Sequence, residues 1–125
     1  MRYLFYILLW VIPYQCFSQS LIDKSQLNEA QMSTEPIVVE FWADWNDSNK
    51  CQFLSGLKDC RKYRVCIEDN PDLAESYKIK VLPTIIVFNK KEEVKRFKGD
   101  LMFSLNVEKQ EIQAVIDSII ISKFR

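Results

Sequence analysis

Four cysteines and no histidine set the limits of the chemistry open to this sequence of 125 residues. Without histidine there is no Ser-His-Asp or Cys-His nucleophile pair, and no zinc site that mixes Cys with His. Two glycines leave no phosphate-cradling loop. Thiol chemistry, carboxylate chemistry and plain binding remain. Seventeen Lys and Arg balance 17 Asp and Glu, so there is no cationic surplus for a phosphate backbone, and nucleic-acid partners are not expected. No spacing of metal ligands and no cofactor motif stands out, so neither a metal nor a cofactor is expected.

Each cysteine has its own setting. Cys16 follows Met1, Arg2 and an apolar run over residues 3–14 (YLFYILLWVIPY), which is too short to span a bilayer comfortably. Small residues at Cys16 and Ser18 fit a small-x-small cleavage pattern. The reading is a secretory signal over residues 1–19, cut near Ser18 or Gln19, ahead of one domain over 20–125; an uncleaved anchor is the alternative. The bulky Pro13, Tyr14 and Gln15 do not resemble a bacterial lipobox. Export to the periplasm or medium, with a signal similar to those of Gram-negative bacteria, implies a compartment that permits disulfides. No stable membrane span is expected after cleavage.

Cys51, Cys60 and Cys66 remain in the mature chain. Cys51 falls in the first turns of an expected helix, where an outward thiol would have a lowered pKa. It is the one candidate nucleophile, although no cysteine lies within four residues to resolve a disulfide and Phe53 beside it points to ordinary packing. Cys66, between Val65 and Ile67, reads as a small buried hydrophobe. A structural disulfide between Cys60 and Cys66 is open if their Cα atoms come within about 7 Å. Nine positions on one helix, about 13 Å, separate Cys51 from Cys60 and forbid a bridge unless Gly56 breaks the helix.

The elements that must position these groups emerge from periodicity. Residues 25–31 (SQLNEAQ) read as a short helix, and residues 37–42 (IVVEFW) as a strand buried on both faces. Residues 48–60 place Cys51, Phe53, Leu54 and Leu57 near helical spacing. A strand over 63–68 comes next, then a helix from Asn70-Pro71 to Tyr77 with Asn70 as N-cap. Residues 85–88 (IIVF) form another buried strand, residues 93–98 alternate as its hairpin partner, and Gly99 ends it. Val107, Ile112, Val115, Ile116, Ile119 and Ile120 mark an amphipathic helix over 107–122. Strands interleaved with helices describe a central sheet covered on both faces. No repeat or linker divides the chain.

The segment Val38 to Lys50 (VVEFWADWNDSNK), together with Val81 to Thr84 (VLPT) and Gly99, resembles thioredoxin, whose pattern is a strand and then F-W-A-x-W-C-G-P-C-K. Phe41, Trp42, Ala43, Trp45 and Lys50 fall in register, and IEDNP at 67–71 and Tyr77-Lys78-Ile79 come in family order. Asn46, Asp47, Ser48 and Asn49 stand where the family has C-G-P-C. The resemblance implies an α/β, single-domain thioredoxin-like fold, a central mixed sheet flanked by helices. It also implies that Glu40 is the buried acid beneath the motif, with Arg64 as its basic partner. The peptide bond before Pro83 should be cis, and Trp42, Trp45, Val81, Leu82, Pro83 and Thr84 should border a groove that holds an extended polypeptide.

Asparagine has neither a nucleophilic sulfur nor a titratable proton, so Asn46 and Asn49 cannot carry out thiol exchange. Asp47 or Ser48 would instead cap the helix expected after them. The favoured expectation is an exported, redox-inactive thioredoxin-like module that binds a polypeptide beside Pro83. A monothiol redox protein using Cys51 is the alternative, and a structural domain in an envelope assembly a third.

Overall fold

The structure, a computed structural model, describes residues 20–124; the proposed signal over residues 1–19, with Cys16, lies outside them. Five strands form one sheet in the order β1-β3-β2-β4-β5: β1 Ser20–Leu21, β2 Ile37–Trp42, β3 Arg61–Cys66, β4 Thr84–Asn89 and β5 Glu92–Lys98. Strand β3 runs parallel to both β1 and β2. Strands β2, β4 and β5 are antiparallel in turn. The sheet is therefore mixed, and its central strand β2 is buried along its whole length, as its unbroken apolar run requires.

Three helices cover the sheet: α1 Lys24–Ala30, α2 Pro71–Ser76 and α3 Lys109–Ser122. Alternation along β2 divides the core. Ile37, Val39 and Phe41 pack with Leu27 and Ala30 of α1 and Leu73 of α2. Val38 faces the other way, into a cluster with Cys51, Leu54, Leu57 and the Ile112, Ile116 and Ile119 stripe of α3, the period-two consequence of the pleat. Helix α1 starts at a capping box, in which Asp23 accepts from the Gln26 amide and the Gln26 side chain accepts from Asp23 N–H. Asn70 occupies the N-cap of α2 as expected, but its side chain donates to the Cys66 carbonyl and caps nothing.

The helix expected over 48–60 does not form. Two 3₁₀ turns, Asp44–Asn49 and Leu54–Gly56, carry the chain from β2 to β3. Local propensity accounts for this: Asn, Asp and Ser prefer side-chain-to-backbone bonds to helical continuation, and Gly56 disfavours a helix through the next turn. The apolar spacing of Cys51, Leu54 and Leu57 is instead used to bury an irregular segment against α3. Among the described residues no helix is long and apolar enough to cross a membrane.

Candidate functional site

The parallel register of β2 and β3 sets Glu40 directly opposite Arg64. Glu40 is completely buried. Its Oε1 accepts from Arg64 Nε at 2.8 Å and its Oε2 from the backbone N–H of Cys51 at 2.7 Å. Arg64 closes the ring by donating to the Cys51 carbonyl at 3.3 Å, and its guanidinium stands 6.0 Å from the centre of the Trp42 ring. A carboxylate in the interior is costly unless paired and hydrogen-bonded; here both oxygens are engaged. The resemblance-based pair thus exists, and it holds the peptide of Cys51 rather than any thiol.

Past β2 the chain turns tightly through the motif positions. Asn46 N donates to the Ala43 carbonyl, and the Asn46 side chain, 4% exposed, lies inward. Its Nδ2 donates to the Phe103 carbonyl at 3.1 Å, while its Oδ1 accepts from Asn49 Nδ2 at 2.9 Å. Asn46 and Asn49 are therefore joined to each other by a side-chain hydrogen bond. Asp47 and Ser48 do not cap a helix, because no α-helix begins there; the Asp47 carboxylate instead pairs with Lys50 at 3.1 Å on the surface.

The cysteines depart from expectation most. Cys51 does not sit outward on a helix: it is 6% exposed, and burial, together with the negative charge of Glu40, pushes its thiol up to about 11. A thiol so placed is almost wholly protonated at neutral pH, opposite to what a nucleophile requires. Burial likewise raises Cys60 to about 11. Cys60 and Cys66 are free thiols. They flank the length of β3, and six residue steps at about 3.3 Å separate them by roughly 20 Å, well beyond disulfide reach.

The loop after β5 completes the site. The Leu82–Pro83 peptide bond is cis, Thr84 Oγ1 donates to the Val81 carbonyl at 2.7 Å, and Gly99 N donates to the Pro83 carbonyl at 2.8 Å. Gly99 is dictated by space: a Cβ there would stand 2.6 Å from the Leu82 carbonyl oxygen. Asp100 then gathers the loop by accepting from Met102 N, Ser104 N and Asn106 Nδ2, and those backbone bonds hold its carboxyl below the usual range. Phe103 meets Trp45 edge to face at 5.1 Å. Of the expected groove residues, Trp42, Leu82, Pro83 and Thr84 are buried and Val81 is half-buried. Trp45 remains 59% exposed, and beside its partner Phe103 the loop exposes Leu101 and Met102, residues that sequence reasoning missed. Their signal was a run of apolar side chains in a loop, L-M-F, shortly after Gly99.

A second grouping was also missed. One ligand atom each from Asp44, Cys66 and Glu68 lies within 4.8 Å of the others. No linear motif announces it, because Asp44 is brought to Cys66 only by the β2–β3 register.

The comparisons with known proteins agree with this architecture. The family described as Thioredoxin matches residues 19–118. Thioredoxin Y1, chloroplastic, of Arabidopsis thaliana is 34% identical over 96 residues, 70% of this chain and 52% of that protein. The Arabidopsis protein Monothiol glutaredoxin-S17 is 24% identical over 87 residues, 65% of this chain and 18% of that protein. The chain thus spans about half, or less, of the length of these relatives. Among solved structures, the reduced thioredoxin pre-protein of Schistosoma mansoni superposes with a TM-score of 0.65 at 20% identity, covering 82% of this chain and 99% of that one; at such identity the likeness is one of fold. With the family match covering most of its length, residues 19–118, the chain belongs to the thioredoxin family.

Proposed function

We propose that this protein is an exported thioredoxin-family module that binds a polypeptide and does not carry out dithiol–disulfide exchange. The observation that carries the reading is the Asn46–Asn49 side-chain hydrogen bond at 2.9 Å. Both positions that need sulfur hold groups that neither attack nor leave. Binding does not need sulfur. Trp45, Phe103, Leu101 and Met102 offer exposed apolar surface beside the motif, and a rigid aromatic pair is suited to anchor a peptide side chain. The monothiol alternative would require Cys51 to act as thiolate, and its burial and raised pKa argue against it.

Export rests on the apolar N-terminal run and the small residues at Cys16 and Ser18. The test has two arms. In an insulin-disulfide reduction assay the protein should match the uncatalysed rate, with Cys51→Ser no different; turnover by wild type that Cys51→Ser abolishes would overturn the reading in favour of the monothiol. Affinity capture from the native periplasm or medium should recover a polypeptide that a Trp45→Ala variant loses; retention by the variant would remove Trp45 from the binding surface. N-terminal sequencing of protein from its host should begin near residue 19 or 20, and an intact Met1 would refute cleavage.

A further inference from the structure

We propose that Asp44, Cys66 and Glu68 form a binding site for a divalent metal ion of the zinc type, separate from the degenerate motif. The three residues meet where the parallel strands β2 and β3 end. Cys66 is the last residue of β3 and the register partner of Trp42; Asp44 lies two residues past Trp42 and Glu68 two past Cys66. The carboxyl end of parallel strands is where α/β sheets present ligand sites, because the chain diverges there into loops. The cluster is partly organised already, since Glu68 Oε1 accepts from Asp44 N–H at 3.1 Å.

Geometry and donor chemistry agree. Three ligand atoms no more than 4.8 Å apart share a centre about 2.8 Å or less from each, against bond lengths of about 2.3 Å for Zn–S and 2.0–2.2 Å for Zn–O. The excess is at most about 0.5 Å for sulfur and about 0.6–0.8 Å for oxygen, which the exposed carboxylates of Asp44 and Glu68 can take up by rotation. One thiolate with two carboxylates excludes calcium and magnesium, which take oxygen from six or more positions, and suits a borderline-soft ion. Cys66 is 5% exposed, and its sulfur lies within 4.8 Å of a carboxylate oxygen of each acid. The thiol proton leaves to solvent as the bond to the ion forms. Trp42, the register partner of Cys66, buries its indole N–H without an acceptor among the described residues.

The experiment is titration of the reduced, full-length protein with Co²⁺ as optical probe, then competition with Zn²⁺. One equivalent of Co²⁺ should produce sulfur-to-cobalt charge-transfer absorption, which Zn²⁺ abolishes. Cys66→Ser should remove the band, Asp44→Asn and Glu68→Gln should each weaken binding at least tenfold, and Glu29→Gln on α1 should leave it unchanged. No charge-transfer band in folded wild-type protein, or a band that survives Cys66→Ser, overturns the proposal. If Cys66→Ser does not fold, the Asp44→Asn/Glu68→Gln double variant, which alters only exposed side chains, decides: unchanged affinity overturns the site.

Discussion

The side-chain amide of Asn49 donates to the side-chain carbonyl of Asn46 at 2.9 Å, and Asn46 passes the connection on to the Phe103 carbonyl at 3.1 Å. The turn Asp44–Asn49 is thereby tied to the loop after β5. Because Trp45 packs on the same Phe103 at 5.1 Å, the exposed aromatic surface is positioned by the two asparagines beneath it.

Replacing Asn46 with Ala should therefore destabilise and loosen together. It removes two part-buried hydrogen bonds, to the Phe103 carbonyl and from the Asn49 amide, a loss of about 0.5–1.5 kcal/mol each. Urea unfolding should show a lowered midpoint at unchanged slope, and Trp45 fluorescence should shift toward that of a solvated indole. An unaltered midpoint would show that the clasp adds nothing.

Glu40 and Arg64 should behave as a coupled pair. Removing one partner leaves a buried charge and orphans the Cys51 peptide, and Glu40→Ala should cost about 3–5 kcal/mol. Replacing both with apolar residues, Glu40→Leu with Arg64→Met, should recover a large part of that loss. A double-mutant cycle measures the coupling; additive single losses would contradict the ring of bonds through Cys51.

Alkaline pH should unfold the protein through its thiols. Cys51 and Cys60 are raised from an ordinary value near 9.0 to about 11 in the folded state, so the unfolded chain releases those protons first. Their contribution is intact below pH 9 and declines as pH rises toward 11, by at most about 1.4 kcal/mol per pH unit for each thiol. Denaturant midpoints measured across that window should fall for wild type and fall less steeply for Cys51→Ser. Consistent with this, neither thiol should react with iodoacetamide at pH 7 until denaturant is added.

Gly99→Ala should be severe although the glycine is only half-buried. The new methyl meets the Leu82 carbonyl oxygen at 2.6 Å and Pro83 Cδ at 3.1 Å, and backbone atoms must move. Overpacking of this kind costs about 1–3 kcal/mol. Because Gly99 N–H also bonds the Pro83 carbonyl, the same variant should displace the loop carrying Phe103 and weaken polypeptide capture along with stability.

Much of this was legible along the chain. The apolar run of β2, the hairpin of β4 and β5 and the stripe of α3 are periodic over enough residues for the pattern to set the element, and the F-W-A-x-W frame carried the family resemblance. The segment from 44 to 60 was not legible in the same way. Its apolar spacing matches a helix, while its Asn, Asp, Ser and Gly content favours turns, and only the surface of α3 against which Cys51, Leu54 and Leu57 pack settles the competition.

Residue types and spacing alone fix that Cys51, Cys60 and Cys66 form no C-x-x-C pair. The fate of each remaining cysteine belongs to three dimensions. Cys51 is buried above Glu40, Cys60 and Cys66 are held apart by an extended strand, and Cys66 is carried to Asp44 by a parallel register linking residues 22 positions apart in sequence. A thiol's charge and reach depend on the dielectric and distances around it, and these come into being only when distant strands pair.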